Sequence, residues 1–108
     1  MVKEFSDLLE KFDETLQEQF YALHQMIIEA SANQAVEKLW AKLPSYYVGD
    51  KFVRLIPFKD HINFEAAAIQ THCLELNGYN ITPKGMLQLY VNQPIPEEAI
   101  KMVIKESL

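Results

Sequence analysis

Apolar residues in the first third of the chain recur at helical spacing and predict two consecutive amphipathic helices. The stripe of the first helix consists of Phe5, Leu8, Leu9 and Phe12. Asp13 then provides a side chain that caps the free amides of a new helix. The second helix is expected to run to about Ala30, with an apolar face made of Leu16, Phe20, Leu23 and Ile27.

From Val36 onward the chain changes to short runs of β-branched and aromatic residues separated by turn residues, which is typical of strands. The predicted strands cover residues 36 to 43, 46 to 48, 51 to 58, 61 to 64 and 86 to 91. Pro44 ends the first of them, Gly49-Asp50 suits a two-residue hairpin turn of type I′ or II′, and Lys59-Asp60 marks the next reversal. These runs predict an antiparallel sheet of about four to five strands.

Two further helices are predicted beyond the first four strands. The alanine-rich run from Ala66 to Leu76 favours a helix between strands that ends at Asn77-Gly78, because both residues tolerate the left-handed cap conformation. Pro96, Glu97 and Glu98 suit the first turn of a last helix. We therefore expect an α+β protein in which residues 1–108 form one domain, with the C-terminal helix packed on the sheet.

Composition is that of an ordinary globular protein, since 49% of the residues are hydrophobic and 23% are charged. Cys73 is the only cysteine, which excludes an internal disulfide and a multi-cysteine zinc site and is compatible with a reducing compartment. No apolar stretch approaches the length of a membrane span, and the N-terminal region lacks a signal-peptide core. We expect a cytoplasmic location and no membrane partner.

Charge is distributed unevenly along the chain. Residues 1 to 37 contain eight acidic residues and two lysines, a net charge of −6, whereas the remainder carries +1. An acidic surface repels phosphate, so nucleic acid is not expected as a partner. Cations or basic partners are favoured instead.

Four acidic residues of the N-terminal region predict a carboxylate ridge, because they are spaced three or four positions apart on helices. They are Asp7, Glu10, Glu14 and Glu18. Like charges at i, i+4 repel by about a few tenths of a kcal/mol, and a hard divalent cation such as Mg²⁺, Ca²⁺ or Fe²⁺ would relieve this repulsion. The alternative is an ordinary solvated helix face. The residues leave both interpretations open, and we expect no tightly bound cofactor.

A second candidate site is aromatic and basic and lies on the predicted sheet. Its candidate pocket residues are Trp40, Tyr46, Lys59, His61, Tyr79 and Lys84. Lys59 and His61 are expected two residues apart on one strand face, where their side chains could line a shallow pocket. The alternative is a sheet face packed with aromatic residues and surrounded by solvated lysines.

No residue pattern indicates an enzyme, and no catalytic residue is predicted. Cys73 follows His72, but successive helical residues point about 100° apart, so they do not form a nucleophile and base pair, and we expect Cys73 in the core. His24 borders an apolar helix face and is expected at the edge of the core. His72 and Glu75 are one turn apart, yet zinc sites need three or four protein ligands.

A succession of short motifs resembles the YdhG-like bacterial family over about residues 3 to 105. The motifs are Trp40-x-x-x-Pro44-x-Tyr46, Phe58-Lys59-x-His61-Ile62-x-Phe64, Gly78-Tyr79, Lys84-Gly85 and Gln93-Pro94-Ile95-Pro96. The chain departs from the family pattern in three places. Residues Glu65 to Ala68 replace an aromatic-Pro-Gly turn, the loop between Tyr79 and Lys84 is one residue longer, and Tyr90 replaces a common proline.

The resemblance implies a compact α+β domain and a link to intracellular iron handling, as in frataxin-like iron chaperones. The first hypothesis is therefore a protein that binds Fe²⁺ loosely and delivers it to proteins of iron-sulfur cluster or haem synthesis. The second hypothesis is a non-catalytic module that docks a small ligand or a protein partner on the aromatic and basic sheet face. Either function is expected of a monomer or a weak homodimer.

Overall fold

The computed structural model describes residues 1–108 and contains three α-helices, one 3₁₀ helix and six strands. The α-helices are α1 (Lys3–Leu9), α2 (Glu14–Ala30) and α3 (Glu97–Ser107). The strands are β1 (Val36–Trp40), β2 (Leu43–Val48), β3 (Lys51–Pro57), β4 (His61–Ala66), β5 (Asn80–Ile81) and β6 (Leu87–Tyr90), and the 3₁₀ helix (Ala67–His72) lies between β4 and β5. The predicted α+β class is confirmed, with six strands where about four to five were predicted.

All six strands form one antiparallel sheet in the order β1-β2-β3-β4-β6-β5. All three α-helices and the 3₁₀ helix contribute side chains to a single core on one side of this sheet. The strands contribute alternate residues to it, among them Val53, Leu55, Phe64 and Leu87. Because side chains alternate along a strand, the residues between these positions lie on the other face, which no helix covers.

Capping hydrogen bonds define both ends of α2. Asp13 Oδ1 accepts a hydrogen bond of 3.0 Å from the amide of Leu16, as predicted. At the other end, the amide of Asn33 donates to the carbonyl of Ile28 at 2.9 Å and that of Ala32 to Glu29 at 3.1 Å. These two bonds form a Schellman motif, in which Ala32 takes a φ of +54° that usually favours glycine.

Two hairpin turns set the register of the first three strands. Gly49-Asp50 joins β2 to β3 as predicted, and the positive φ of +63° at Gly49 alone matches type II′. The predicted single strand over residues 36 to 43 is wrong, because the chain reverses at Ala41-Lys42, where both residues have the positive φ of a type I′ turn. Pro44 belongs to β2 but precedes the residues of β2 that pair with β3. Its missing N–H therefore interrupts no hydrogen bond between β2 and β3.

The helix predicted from Ala66 to Leu76 is shorter and tighter in the structure. Ala66 pairs with Val53 and so belongs to β4, and after the 3₁₀ helix the chain continues in turns to Gly78, whose φ is +95°. Cys73 is exposed, so its predicted place in the core is wrong. Turn geometry after the 3₁₀ helix directs Leu76 inward and leaves Cys73 outside.

Candidate functional site on the open face of the sheet

The helix-free side of the first four strands, here called the open face, carries a row of polar residues bordered by aromatic ones. It consists of Val36, Lys38, Trp40, Leu43, Ser45, Tyr47, Phe52, Arg54, Ile56, His61, Asn63 and Glu65. The polar row crosses all four strands, since Lys38 pairs with Ser45, Ser45 with Arg54, and Arg54 with Glu65. Cross-strand neighbours of this kind are close enough to interact directly.

Arg54, the only arginine of the chain, is the centre of the open face. Its guanidinium carbon lies 4.1 Å from the centre of the Trp40 ring and 3.9 Å from that of Phe52. Its Nε donates to Ser45 Oγ at 2.9 Å, and its Nη1 lies 3.2 Å from Glu65 Oε1. A buried charge requires such pairing, and Arg54 is only 6% exposed although no helix covers it. The surrounding rings and polar groups therefore fix its side chain.

The aromatic and apolar residues around Arg54 remain open to solvent. Trp40 is 52% exposed and Val36 is 60% exposed. The rings of Tyr47 and Phe52 pair across β2 and β3 with their centres 6.0 Å apart, and Lys38 Nζ lies 4.7 Å from the centre of the Tyr47 ring. Tyr47 and Phe52 are half-buried, so the apolar surface that this part of the open face exposes consists chiefly of Trp40 and Val36.

A second aromatic group continues this surface at the turn between β3 and β4. The His61 ring stacks on Phe58 with 4.7 Å between ring centres, and it lies at the same distance from the Tyr90 ring. Its Nδ1 is 2.8 Å from Asp60 Oδ1, so the carboxylate fixes the orientation of the imidazole. Phe58 is also exposed, which extends the apolar surface beyond β4.

A shallow cleft of about 380 Å³ adjoins the open face and shares Phe52 and Glu65 with it. Lys51 and Lys84 bring positive charge to the cleft, and Asp50 and Glu65 bring negative charge. Its volume is at the lower end of small-ligand sites, and it is open to solvent. The cleft is therefore an extension of the open face rather than an enclosed pocket.

The six predicted pocket residues do not line one pocket. Trp40 and His61 lie on the open face, but Tyr46 lies on the opposite side, fully buried in the core. The Tyr46 hydroxyl is 2.8 Å from Nδ1 of His24, which confirms the predicted place of His24 at the core. Burial raises the pKa of Tyr46, to which Glu37 adds, and burial lowers the pKa of His24.

The other three predicted pocket residues are on loops. Lys59 is in the turn between β3 and β4 and not on a strand face beside His61, because β4 begins only at His61. Tyr79 donates its hydroxyl to the carbonyl of Pro94 at 2.5 Å, and Lys84 lies at the cleft. Arg54 was not among the predicted residues, although its position two residues after Phe52 in a strand is the signal that could have found it.

The four carboxylates of the predicted ridge are exposed but distributed over two helices and the break between them. Asp7 is on α1, where its Oδ2 is 3.0 Å from Lys3 Nζ, and Glu10 follows the end of that helix. Glu14 and Glu18 share a face of α2. No three His, Cys, Asp or Glu side chains are grouped so that they could hold a metal ion.

His72 connects the 3₁₀ helix to α3. Its Nε2 is 2.7 Å from Glu106 Oε2, and its Nδ1 is 3.6 Å from Glu75 Oε2. The hydrogen bond to Glu106 raises the pKa of His72, and Glu75 acts in the same direction. Because the two carboxylates lie at opposite ring nitrogens, they do not combine with His72 into one metal site.

Comparison with known protein families, curated proteins and solved structures found no match for this chain. The resemblance to the YdhG-like family stays a prediction from the motifs. None of the helices is both long and apolar enough to cross a membrane. The functional inference therefore rests on the residues of the chain itself.

Proposed function

We propose that this protein is a non-catalytic interaction module that docks a protein partner on the open face of its sheet. The observation that supports this proposal most strongly is the half-exposed Trp40 ring held against the nearly buried guanidinium of Arg54. Trp, Tyr and Arg are the residues that most often dominate the energy of protein interfaces. Here all three types adjoin one another on a surface that no helix covers.

The rigidity of this group favours binding. Arg54 is held by Ser45 and Glu65, and its guanidinium in turn supports the Trp40 ring. A side chain that is already ordered before binding loses little conformational entropy when a partner covers it. Trp40 therefore offers a large apolar contact at low entropic cost.

The shape of the surface favours a protein partner over a small ligand. The open face extends across four strands, and the adjoining cleft is shallow and not enclosed. Small ligands are usually enclosed by concave, apolar sites, whereas protein interfaces have an apolar centre with a polar rim. The apolar group around Trp40, with Lys38 and Glu65 beside it, matches the second description.

Site-specific photo-cross-linking tests this proposal. Benzoyl-phenylalanine would replace Trp40 in one variant and Tyr21 in another, because Tyr21 is a comparably exposed aromatic residue on α2, at 44%. Irradiation of cells that produce each variant is expected to give a discrete protein adduct from position 40 and none from position 21. The absence of an adduct at position 40, or identical adducts at both positions, would contradict the proposal.

The iron-carrier hypothesis remains a second candidate, supported by the charge of −6 in residues 1 to 37 and by Glu14 and Glu18, whose side chains form no salt bridge in the structure. It predicts loose Fe²⁺ binding in an anaerobic titration, for delivery to a protein of iron-sulfur or haem synthesis. Binding should be lost when Glu10, Glu14 and Glu18 are changed to Gln. If the variant binds Fe²⁺ as well as the original protein, the ridge is not the site.

A further inference from the structure

We propose that the free edge of β1 is a site for strand addition, at which β1 pairs with an extended segment of a partner protein. This segment places a carboxylate opposite Lys38 and apolar side chains opposite Val36 and Trp40. This inference rests on the proposed function, because an added strand would extend the open face beyond β1. It specifies the backbone conformation and the charge of the segment that binds.

β1 has unpaired backbone groups along its whole outer side. It is the first strand in the sheet order and pairs only with β2. Trp40 and Leu43 flank the two-residue turn and so form a hydrogen-bonded pair, after which bonded and non-bonded pairs alternate. This alternation directs the N–H and C=O groups of Glu37 and Leu39 away from β2, toward the free edge.

The opposite edge of the sheet is protected against pairing with another strand, whereas the edge formed by β1 is not. β5 has only two residues, and Pro83 follows it closely. Where β6 extends past β5, Gln19 Nε2 from α2 donates to the carbonyls of Leu89 and Tyr90 at 3.2 and 3.4 Å. Shortness, proline and cover by another element are the usual devices that prevent an edge strand from pairing.

β1 is longer than β5 and has five residues. It contains no proline, and its register with β2 is continuous and therefore free of bulges. Charged side chains also protect edges, but Glu37 is engaged within the chain, and Lys38 disfavours only a strand that brings a basic residue opposite it. Glu37 Oε1 accepts a 2.9 Å hydrogen bond from the amide of Val2, and the Lys38 ammonium lies over the Tyr47 ring.

The side chains of β1 indicate which segment would fit. Lys38 bonds to β2 through its backbone, so a residue opposite it on an added antiparallel strand would occupy a non-hydrogen-bonded pair, where side chains are closest. An acidic residue is favoured there and a basic one disfavoured. Val36 and Trp40 flank Lys38 on the same face and favour β-branched or aromatic residues opposite them.

The same charge argues against a second copy of this chain as the occupant. Two-fold pairing centred on Lys38 would place two ammonium groups opposite each other. Two-fold pairing centred on Glu37 would place two carboxylates opposite each other. Two-fold pairing centred on Leu39 would bring the added strand against the Ala41-Lys42 turn, where β1 has ended. A different chain with an acidic residue at the central position avoids all three problems.

The test uses the acetylated and amidated peptide Thr-Val-Thr-Glu-Thr-Val-Thr and a control peptide with Lys in place of Glu. Titration into ¹⁵N-labelled protein is expected to shift the amide signals of Glu37 and Leu39 most, with the Glu peptide binding about fivefold or more tighter than the Lys peptide. In the Lys38→Glu variant the preference should reverse. Leu39→Pro, which removes one outward N–H, should abolish binding, whereas Leu39→Ala should retain the shift at Glu37.

Several outcomes would overturn strand addition. They are no shift at millimolar peptide, equal affinity for both peptides, shifts confined to Trp40 and Phe52, or self-association of the free protein through β1. The charge reversal at Lys38 decides the question even if Leu39→Pro does not fold. A photo-adduct from position 40 without a charge-dependent peptide response would leave the proposed function standing and remove only this inference.

Discussion

The guanidinium carbon of Arg54 lies 4.1 Å from the centre of the Trp40 ring, on the side of the sheet opposite the core. A cation over an aromatic face is attracted by about 0.5–2 kcal/mol, depending on its desolvation. The contact between Arg54 and Trp40 therefore contributes both to the stability of the fold and to the order of the proposed binding surface. The same contact that buries the only arginine also holds the most prominent exposed ring in place.

Replacement of Arg54 by Lys is expected to destabilise the fold by about 1–3 kcal/mol, because an ammonium cannot stack between two rings and bond to Ser45 and Glu65 in the same way. Urea unfolding measures this change. Lys59→Arg, in the exposed turn between β3 and β4, is the control and should stay within about 0.5 kcal/mol of the original protein. Equal stability of the two variants would show that the geometry around Arg54 contributes little.

Ala32→Gly is expected to stabilise the protein by about 1 kcal/mol. Ala32 has the left-handed conformation at the end of α2, which costs about 1–2 kcal/mol for a residue with a Cβ. Ala22→Gly, at an exposed position inside the same helix, should instead destabilise by about 1 kcal/mol. The same substitution is thus expected to change the stability in opposite directions at the two positions, and thermal unfolding of both variants measures this difference. A loss of stability in both variants would contradict the Schellman geometry.

Lys42→Gly is expected to stabilise the β1–β2 hairpin by about 1 kcal/mol, since Lys42 has a φ of +67° at the second position of a type I′ turn, where glycine is preferred. Lys59→Gly should give no gain, because Lys59 does not have a positive φ. Chemical denaturation of both variants checks the prediction. Destabilisation by Lys42→Gly would mean that the turn differs from the one described.

His72 should stabilise the protein more at low pH than at high pH. Its pKa is raised by Glu106, so this contribution is complete below about pH 6.5, the ordinary histidine value, and is lost as pH rises through the raised pKa. The difference in unfolding free energy between the original protein and His72→Gln should therefore be largest below about pH 6.5 and fall as the pH rises above it. A difference that stays constant over this range would remove the proposed role of Glu106.

His24 should show the opposite dependence. Burial lowers its pKa, so its contribution to stability is complete above about pH 6.5 and is lost as pH falls through the lowered pKa. The stability difference between the original protein and His24→Gln should grow from about pH 5 to pH 7. A difference that shrinks over this range would indicate that His24 is charged in the folded state.

The amphipathic patterns predicted most of the fold. The helical stripe from Leu16 to Ile27, its Asp13 cap and the Gly49-Asp50 hairpin are all where the sequence placed them. The Ala41-Lys42 turn was missed because neither residue is a usual turn residue, and only pairing of the strands on both sides keeps their backbone in the left-handed region. β5 was missed because two residues give no periodic signal.

The positions of the candidate pocket residues were predicted less well than the fold, because they depend on which face each strand turns outward. The prediction selected Tyr46, whose neighbour Tyr47 lies on the open face, and it selected Lys59 in place of Arg54. One shift in register exchanges the two faces of a strand, so residue type alone does not distinguish Tyr46 from Tyr47. The pairing of Tyr47 with Phe52 and of Ser45 with Arg54 supplies that distinction.

The role of the open face is measured most directly by a binding experiment. The partner identified by cross-linking is purified, and its affinity is measured for variants at Trp40 and Tyr21. Trp40→Ala is expected to weaken binding by about tenfold or more, as is typical of a central interface residue, and Trp40→Phe by less because it keeps a ring over Arg54. Tyr21→Ala, on the helical side, should change the affinity by less than about twofold. If Trp40→Ala binds as tightly as the original protein while Tyr21→Ala does not, the helices and not the open face of the sheet form the interaction surface.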